Sequence, residues 1–69
     1  MEEIVLRDEF IKLGQALMAA GLVDSGVEAK IVITEGQVKV NGVVEIQRGK
    51  KLYDGDIISF DGTDIKITK

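Results

Sequence analysis

The chain has 69 residues, 45% of them hydrophobic and 30% charged, with a formal net charge of −3. It contains no Cys, His, Pro or Trp, which excludes disulfides, a zinc site, a thiol or Ser–His nucleophile and an imidazole base. Ordering a chain this short costs roughly 100 kcal/mol of conformational entropy, so packed aliphatic side chains have to supply nearly all the stabilisation.

Residues 3–7, Glu-Ile-Val-Leu-Arg, alternate as a short strand, with Ile4 and Leu6 on one face. Phe10, Leu13, Leu17 and Ala20 then recur at helical spacing. They predict a helix of two to three turns, starting between Asp8 and Lys12 and ending before Gly21. Ser25-Gly26-Val27-Glu28 reads as a capping box. The Ser hydroxyl accepts from the amide three residues on, and the Glu carboxylate reaches back to the Ser amide. A second helix should run from about Gly26 to Glu35, bury Ala29, Val32 and Ile33, and stop at Gly36. The short link requires the two helices to pack together.

From Gln37 the period changes to two. Val38, Val40 and Val43 flank Asn41-Gly42, a two-residue hairpin turn. A basic loop follows at 46–51 and closes on Leu52-Tyr53; Asp54-Gly55-Asp56 makes a turn. Ile57, Ile58 and Phe60 form a strand, Asp61-Gly62 a second hairpin turn, and Ile65 and Ile67 the last strand. One strand, two helices and then four short strands predict a single α+β domain over residues 1–69, with both helices on one side of a small antiparallel sheet.

Charge is unevenly distributed. Residues 1–28 carry −4, residues 29–53 carry +3 and residues 54–69 carry −2. The basic third holds Lys30, Lys39, Arg48, Lys50 and Lys51, and phosphate contact is the chemical reason to gather such residues. Composition by itself favours the plainer alternative, a solvated lysine-rich loop. A second candidate is the start of helix two, Asp24-Ser25-Gly26, where free amides attract anions; simple capping by Ser25 and Glu28 competes with it. The third is the acidic set Asp54, Asp56, Asp61 and Asp64, which fits turn geometry better than metal binding or acid–base work. Gly14 lies inside the first helical pattern, where it permits close packing or the close approach of a partner. Three aromatics, Phe10, Tyr53 and Phe60, are too few for a sheet on which bases stack in a row. No apolar run approaches a membrane span, and Met1-Glu2-Glu3 lacks the basic start of a signal peptide, so a soluble cytoplasmic protein is expected.

Several of these residues resemble a known family. They are Lys12-Leu13-Gly14-Gln15 with Leu17 and Gly21, Ser25-Gly26 through Ala29-Lys30, and the run from Glu35 to Gly42. Arg48-Gly49-Lys50-Lys51-Leu52 and Gly55-Asp56 complete the set. Together, over about residues 10–67, they resemble the RNA-binding domain of the ribosomal protein S-four type, the alpha-L motif, in its small stand-alone bacterial form. The resemblance implies two helices packed on a small, bent antiparallel sheet. It also implies binding to structured RNA, often ribosomal or transfer RNA, with no catalytic activity and no cofactor. The RNA-binding residues it implies are Lys12, Ser25, Lys30, Lys39, Arg48, Lys50 and Lys51. Many members carry Arg after the capping Ser, where this chain has Gly26, as the stand-alone members do; the loop 48–51 then supplies the charge. The expected partner is RNA, with no membrane and no small-molecule substrate, and the expected state is a monomer. The competing reading is a protein-interaction module that uses the exposed sheet edge at Ile4–Leu6.

Overall fold

A computed structural model describes all of residues 1–69. In chain order the elements are β1 (Glu2–Val5), β2 (Ile11–Lys12), α1 (Leu13–Ala19), α2 (Gly26–Thr34), β3 (Val38–Val40), β4 (Val43–Val44), β5 (Lys51–Leu52), β6 (Ile57–Phe60) and β7 (Thr63–Thr68). The α+β architecture and the two packed helices are as the sequence predicts. A five-stranded sheet has the order β1-β7-β6-β3-β4, and β2 and β5 form a separate two-stranded ribbon.

Local chemistry sets most of the boundaries. After α1 the Gly21 amide donates to the Met18 carbonyl and the Leu22 amide to the Leu17 carbonyl, a closure that needs the left-handed backbone of Gly21 (φ +73°). Gly36 and Gln37 end α2 in the same way on Ile33 and Val32. In both hairpin turns two consecutive residues have positive φ: Asn41 and Gly42 at 53° and 82°, Asp61 and Gly62 at 52° and 79°. That geometry matches the twist of the flanking strands. Asn41 does more than turn the chain. Its side chain donates to Asp56 Oδ1 (3.0 Å) and accepts from the Ile57 amide (2.9 Å), which ties the first hairpin to the Asp54-Gly55-Asp56 turn.

One cluster of thirteen buried residues forms the core. Val38, Val40, Ile58, Ile65 and Ile67 supply it from the sheet, Leu13, Ala16 and Leu17 from α1, Ala29 and Ile33 from α2, and Leu52 from β5. Val32, predicted to be buried, only packs against its margin. Lys39 points away from the core, level with Ser59 on β6, which in turn faces Asp64 on β7. No helix is long and apolar enough to cross a membrane.

Three features differ from the sequence expectation. The sheet is mixed: β1 runs parallel to β7, with Glu2 beside Ile65 and Val5 beside Thr68, and the Leu6 amide continues the ladder to the Thr68 carbonyl (2.7 Å). Hairpin turns identify antiparallel neighbours, whereas a parallel pair joins distant segments through a crossover and leaves no local trace. The first helix begins at Leu13, and Phe10 precedes it. Lys12 is extended (φ −79°, ψ 148°) because residues 11–12 pair with residues 51–52, and the Leu13 amide donates to the Lys50 carbonyl (2.9 Å). Finally, the basic loop ends in a strand, β5. Two-residue strands are too short to show a period, so both partners of the ribbon are invisible along the chain. As expected, β1 is an edge strand of the sheet, and Val5 on it is exposed.

Candidate nucleic-acid interface

The loop between β4 and β5 folds back over the start of α1. Two main-chain bonds pin it there, from the Leu13 amide to the Lys50 carbonyl (2.9 Å) and from the Gly14 amide to the Arg48 carbonyl (3.0 Å). These amides belong to the first turn of α1 and have no partner within the helix, so the loop satisfies them. The Arg48 side chain then crosses Gly14. A Cβ on residue 14 would sit 2.6 Å from Arg48 Cγ and 3.2 Å from Cδ. The question left open by the sequence is thereby answered: Gly14 makes room for the aliphatic stem of Arg48.

A cleft of about 320 Å³ opens beside this contact. Three glycines (Gly14, Gly26 and Gly49) and the polar side chains of Lys12, Gln15 and Arg48 line it. Gln15 Oε1 accepts from the Lys12 amide (3.3 Å), which holds the N-terminal turn of α1. The one ion pair of the molecule, Lys69 to Glu9 at 3.0 Å, lies elsewhere, so Lys12 and Arg48 keep their charge unneutralised by any carboxylate. Two free cations beside bare glycine backbone suit a phosphate chemically. A larger groove of about 490 Å³ runs between β1 and α1, but it is mostly apolar and Arg7 is its only cation.

Of the remaining predicted residues, all but Lys39 lie on elements that border this cleft. Lys30 is four residues beyond Gly26 and exposed, so it continues the same face of α2. Lys51 is the register partner of Lys12 across the ribbon. Lys50 belongs to the pinned loop. The Ser25 hydroxyl accepts from the Glu28 amide (3.1 Å) and so caps α2, as predicted. The Glu28 carboxylate accepts from the Asp24 amide (2.8 Å) and not from Ser25, whose backbone is extended there. Lys39 stands apart on the outer face of the sheet and does not line the cleft. The acidic residues serve turns: Asp56 Oδ2 accepts from the Tyr53 amide (2.8 Å) and Asp54 Oδ1 from the Lys69 amide (3.1 Å).

Residues that sequence reasoning passed over lie in the cleft or on the adjoining β2–β5 ribbon. Gln15 is one. Phe10 and Tyr53 are the others, with ring centroids 6.1 Å apart, and Lys51 Nζ lies 4.8 Å from the Phe10 ring centre. These two aromatics are 43 positions apart in sequence, and only the β2–β5 register joins them.

A two-helix α+β fold that pins a basic loop over its first helix, with its cations unpaired, defines a small binding domain with a cationic face. The chain belongs to the S4 domain family, whose model matches residues 4–68. It is 40% identical over 57 residues to the Escherichia coli (strain K12) protein named "Putative RNA-binding protein YbcJ", covering 83% of this chain and 81% of that one. It is 41% identical over 59 residues to the Bacillus subtilis (strain 168) protein named "Probable ribosome maturation protein RlbA", covering 86% of this chain and 83% of that one. The solution structure of YbcJ from E. coli, described as revealing an alfaL motif involved in RNA binding, superimposes with a TM-score of 0.76 at 36% identity. That match covers all of this chain and 89% of YbcJ.

The Gly14–Arg48 contact makes a testable prediction. In Gly14→Ala the gain in helix propensity, up to about 1 kcal/mol, opposes the displacement of the Arg48 stem, so urea stability should change by no more than about 1 kcal/mol. The guanidinium, however, is moved. RNA affinity should fall, and the slope of log affinity against log salt should become shallower by about 0.8, the share of one phosphate contact. An unchanged slope would mean that Arg48 does not contact phosphate from this position.

Proposed function

We propose that this protein is a non-catalytic RNA-binding module that grips structured RNA, ribosomal or transfer RNA, through the basic face around the start of α1. Lys12, Arg48, Lys50 and Lys51 make the central phosphate contacts. Ser25 and Lys30 extend that surface along α2, whereas Lys39, on the outer face of the sheet, meets RNA outside this central face. The observation that carries this reading is the pinned loop: two main-chain bonds hold Arg48 over Gly14 and beside Lys12, with no carboxylate pairing either cation. Phosphate contacts of this kind position a protein on RNA by shape and charge. The ribosome-maturation name of the B. subtilis relative supports ribosomal RNA as the target. On this reading the protein acts in the cytoplasm, as a monomer, without a cofactor.

Crosslinking in living cells followed by sequencing of the attached RNA tests the proposal directly. Reads should concentrate in ribosomal or transfer RNA, within a few structured segments. Coverage indistinguishable from the background transcript pool would overturn it.

A further inference from the structure

The register of the β2–β5 ribbon has a chemical consequence. Ile11 pairs with Leu52 and Lys12 with Lys51. The same antiparallel register, carried one residue outward, sets Phe10 opposite Tyr53, and the ring separation of 6.1 Å agrees. Side chains alternate across a strand, so Phe10, Lys12, Lys51 and Tyr53 share one face while Ile11 and Leu52 take the other. Burial follows this division. Leu52 is completely buried and Ile11 packs against the core, whereas Lys12, Lys51 and Tyr53 are exposed. The outer face of the ribbon is therefore a square of two aromatic rings and two ammonium groups.

We infer that this square is a stacking site for one unpaired nucleobase of the bound RNA, with Tyr53 as the stacking ring and Lys12 and Lys51 on the flanking phosphates. The inference rests on the RNA-binding reading above and adds a base-recognition element to it. Tyr53 is the ring available for the purpose. It is 46% exposed, while Phe10 is partly buried and already covered by Lys51, whose ammonium lies 4.8 Å from the ring centre. The rings are tilted by 53°, so a base stacks on Tyr53 with its edge toward Phe10 and is not sandwiched between them. Tyr53 is also fixed in place. Its amide donates to Asp56 Oδ2 (2.8 Å) and its carbonyl accepts from the Asp56 amide (3.0 Å), so the main chain that carries the ring is ordered before RNA arrives. A single ring reads no base sequence, because every base has a π face. It selects RNA in which a base is free of its helix, in a bulge or a loop.

Tyr53 is the only tyrosine and the chain has no tryptophan, so the fluorescence of the protein reports this one ring. The test titrates the whole protein with two RNA hairpins of equal length, one fully paired and closed by a tight tetraloop, the other carrying one bulged adenosine. The bulged hairpin should quench tyrosine emission and bind about 5- to 150-fold more tightly than the paired one, the range for one stacked base. With affinity read from the anisotropy of the labelled hairpins, which does not depend on the tyrosine, Tyr53→Ala should remove that preference and leave affinity for the paired hairpin within about twofold. Tyr53→Phe should keep the preference, and a Tyr53→Ala melting curve like that of the native protein separates loss of stacking from loss of fold. Equal binding of both hairpins, unaffected by Tyr53→Ala, would overturn the stacking site while leaving the charge-based RNA reading intact. If neither hairpin nor purified ribosomal RNA binds, the RNA reading itself fails and the stacking site with it.

Discussion

Replacing Arg48, Lys50 and Lys51 together with Ala should convert a strongly salt-dependent RNA affinity into a weakly dependent one. If Lys12, Lys30, Arg48, Lys50 and Lys51 each neutralise one phosphate, log affinity falls with log salt at a slope of roughly −3.5 to −4.5. Raising salt from about 50 to 200 mM then weakens the native protein by about 100- to 500-fold. With three contacts removed the slope drops to roughly −1.4 to −1.8, and the same change costs only about 5- to 15-fold. The fold should survive, because the loop is held by the carbonyls of Arg48 and Lys50, which Ala retains. The stem of Arg48 lies over Gly14 and is no part of the hydrophobic core, so its loss uncovers a little backbone and leaves that core intact. Fluorescence anisotropy with a labelled ribosomal RNA fragment across a salt series measures both slopes. Identical slopes for native and triple-Ala proteins would reduce the loop to a solvated surface.

The largest effect on stability is expected at Leu52. It is completely buried and is the only residue of β5 in the core. Leu→Ala at such a site costs about 2–5 kcal/mol, from lost burial and the cavity left behind. A domain of this size has only about 3–5 kcal/mol to lose. Leu52→Ala should therefore lower the melting temperature by at least about 10 °C and leave a large unfolded fraction at 37 °C. RNA binding should disappear with the fold, since Leu52 anchors the ribbon that carries Lys12 and Lys51. Val43→Ala, on an exposed side chain of β4, is the control and should shift stability by no more than about 0.5 kcal/mol. Circular dichroism melts of the two variants decide the matter. A Leu52→Ala protein that melts within a few degrees of the native one would place the ribbon outside the cooperative core.

The two sites owe their legibility in the sequence to different physics. Gly21, Ser25, Gly36, Asn41-Gly42 and Asp61-Gly62 act through their own backbone preferences, so the helix ends and both hairpin turns are readable residue by residue. The period of two in Val38 and Val40 and the helical spacing of Leu13 and Leu17 mark the faces that are buried. Helical spacing misled at Phe10, which matches the pattern by position yet lies outside the helix. What separates Phe10 from Leu13 is a pairing with residues 51–52, about 40 positions away, and no local preference encodes it. The parallel partner of β1 was hidden for the same reason.

Charge shows the same division. The sequence by itself determined that the middle of the chain is basic, that no thiol or imidazole chemistry is available, and that the elements form an α+β fold. Those properties follow from composition and from interactions within a few residues. Only the tertiary structure decided which cations stand together. It set Lys12, from the acidic first third, beside Arg48, put Lys51 across from Lys12, and turned Lys39 onto a different face. It also joined Phe10 to Tyr53, which the count of three aromatics had discounted. The physical reason is that the β2–β5 pairing and the two bonds that pin the loop form between main-chain groups. Main-chain amides and carbonyls are the same at every position, so their long-range partners become fixed only when the core around Leu52 closes.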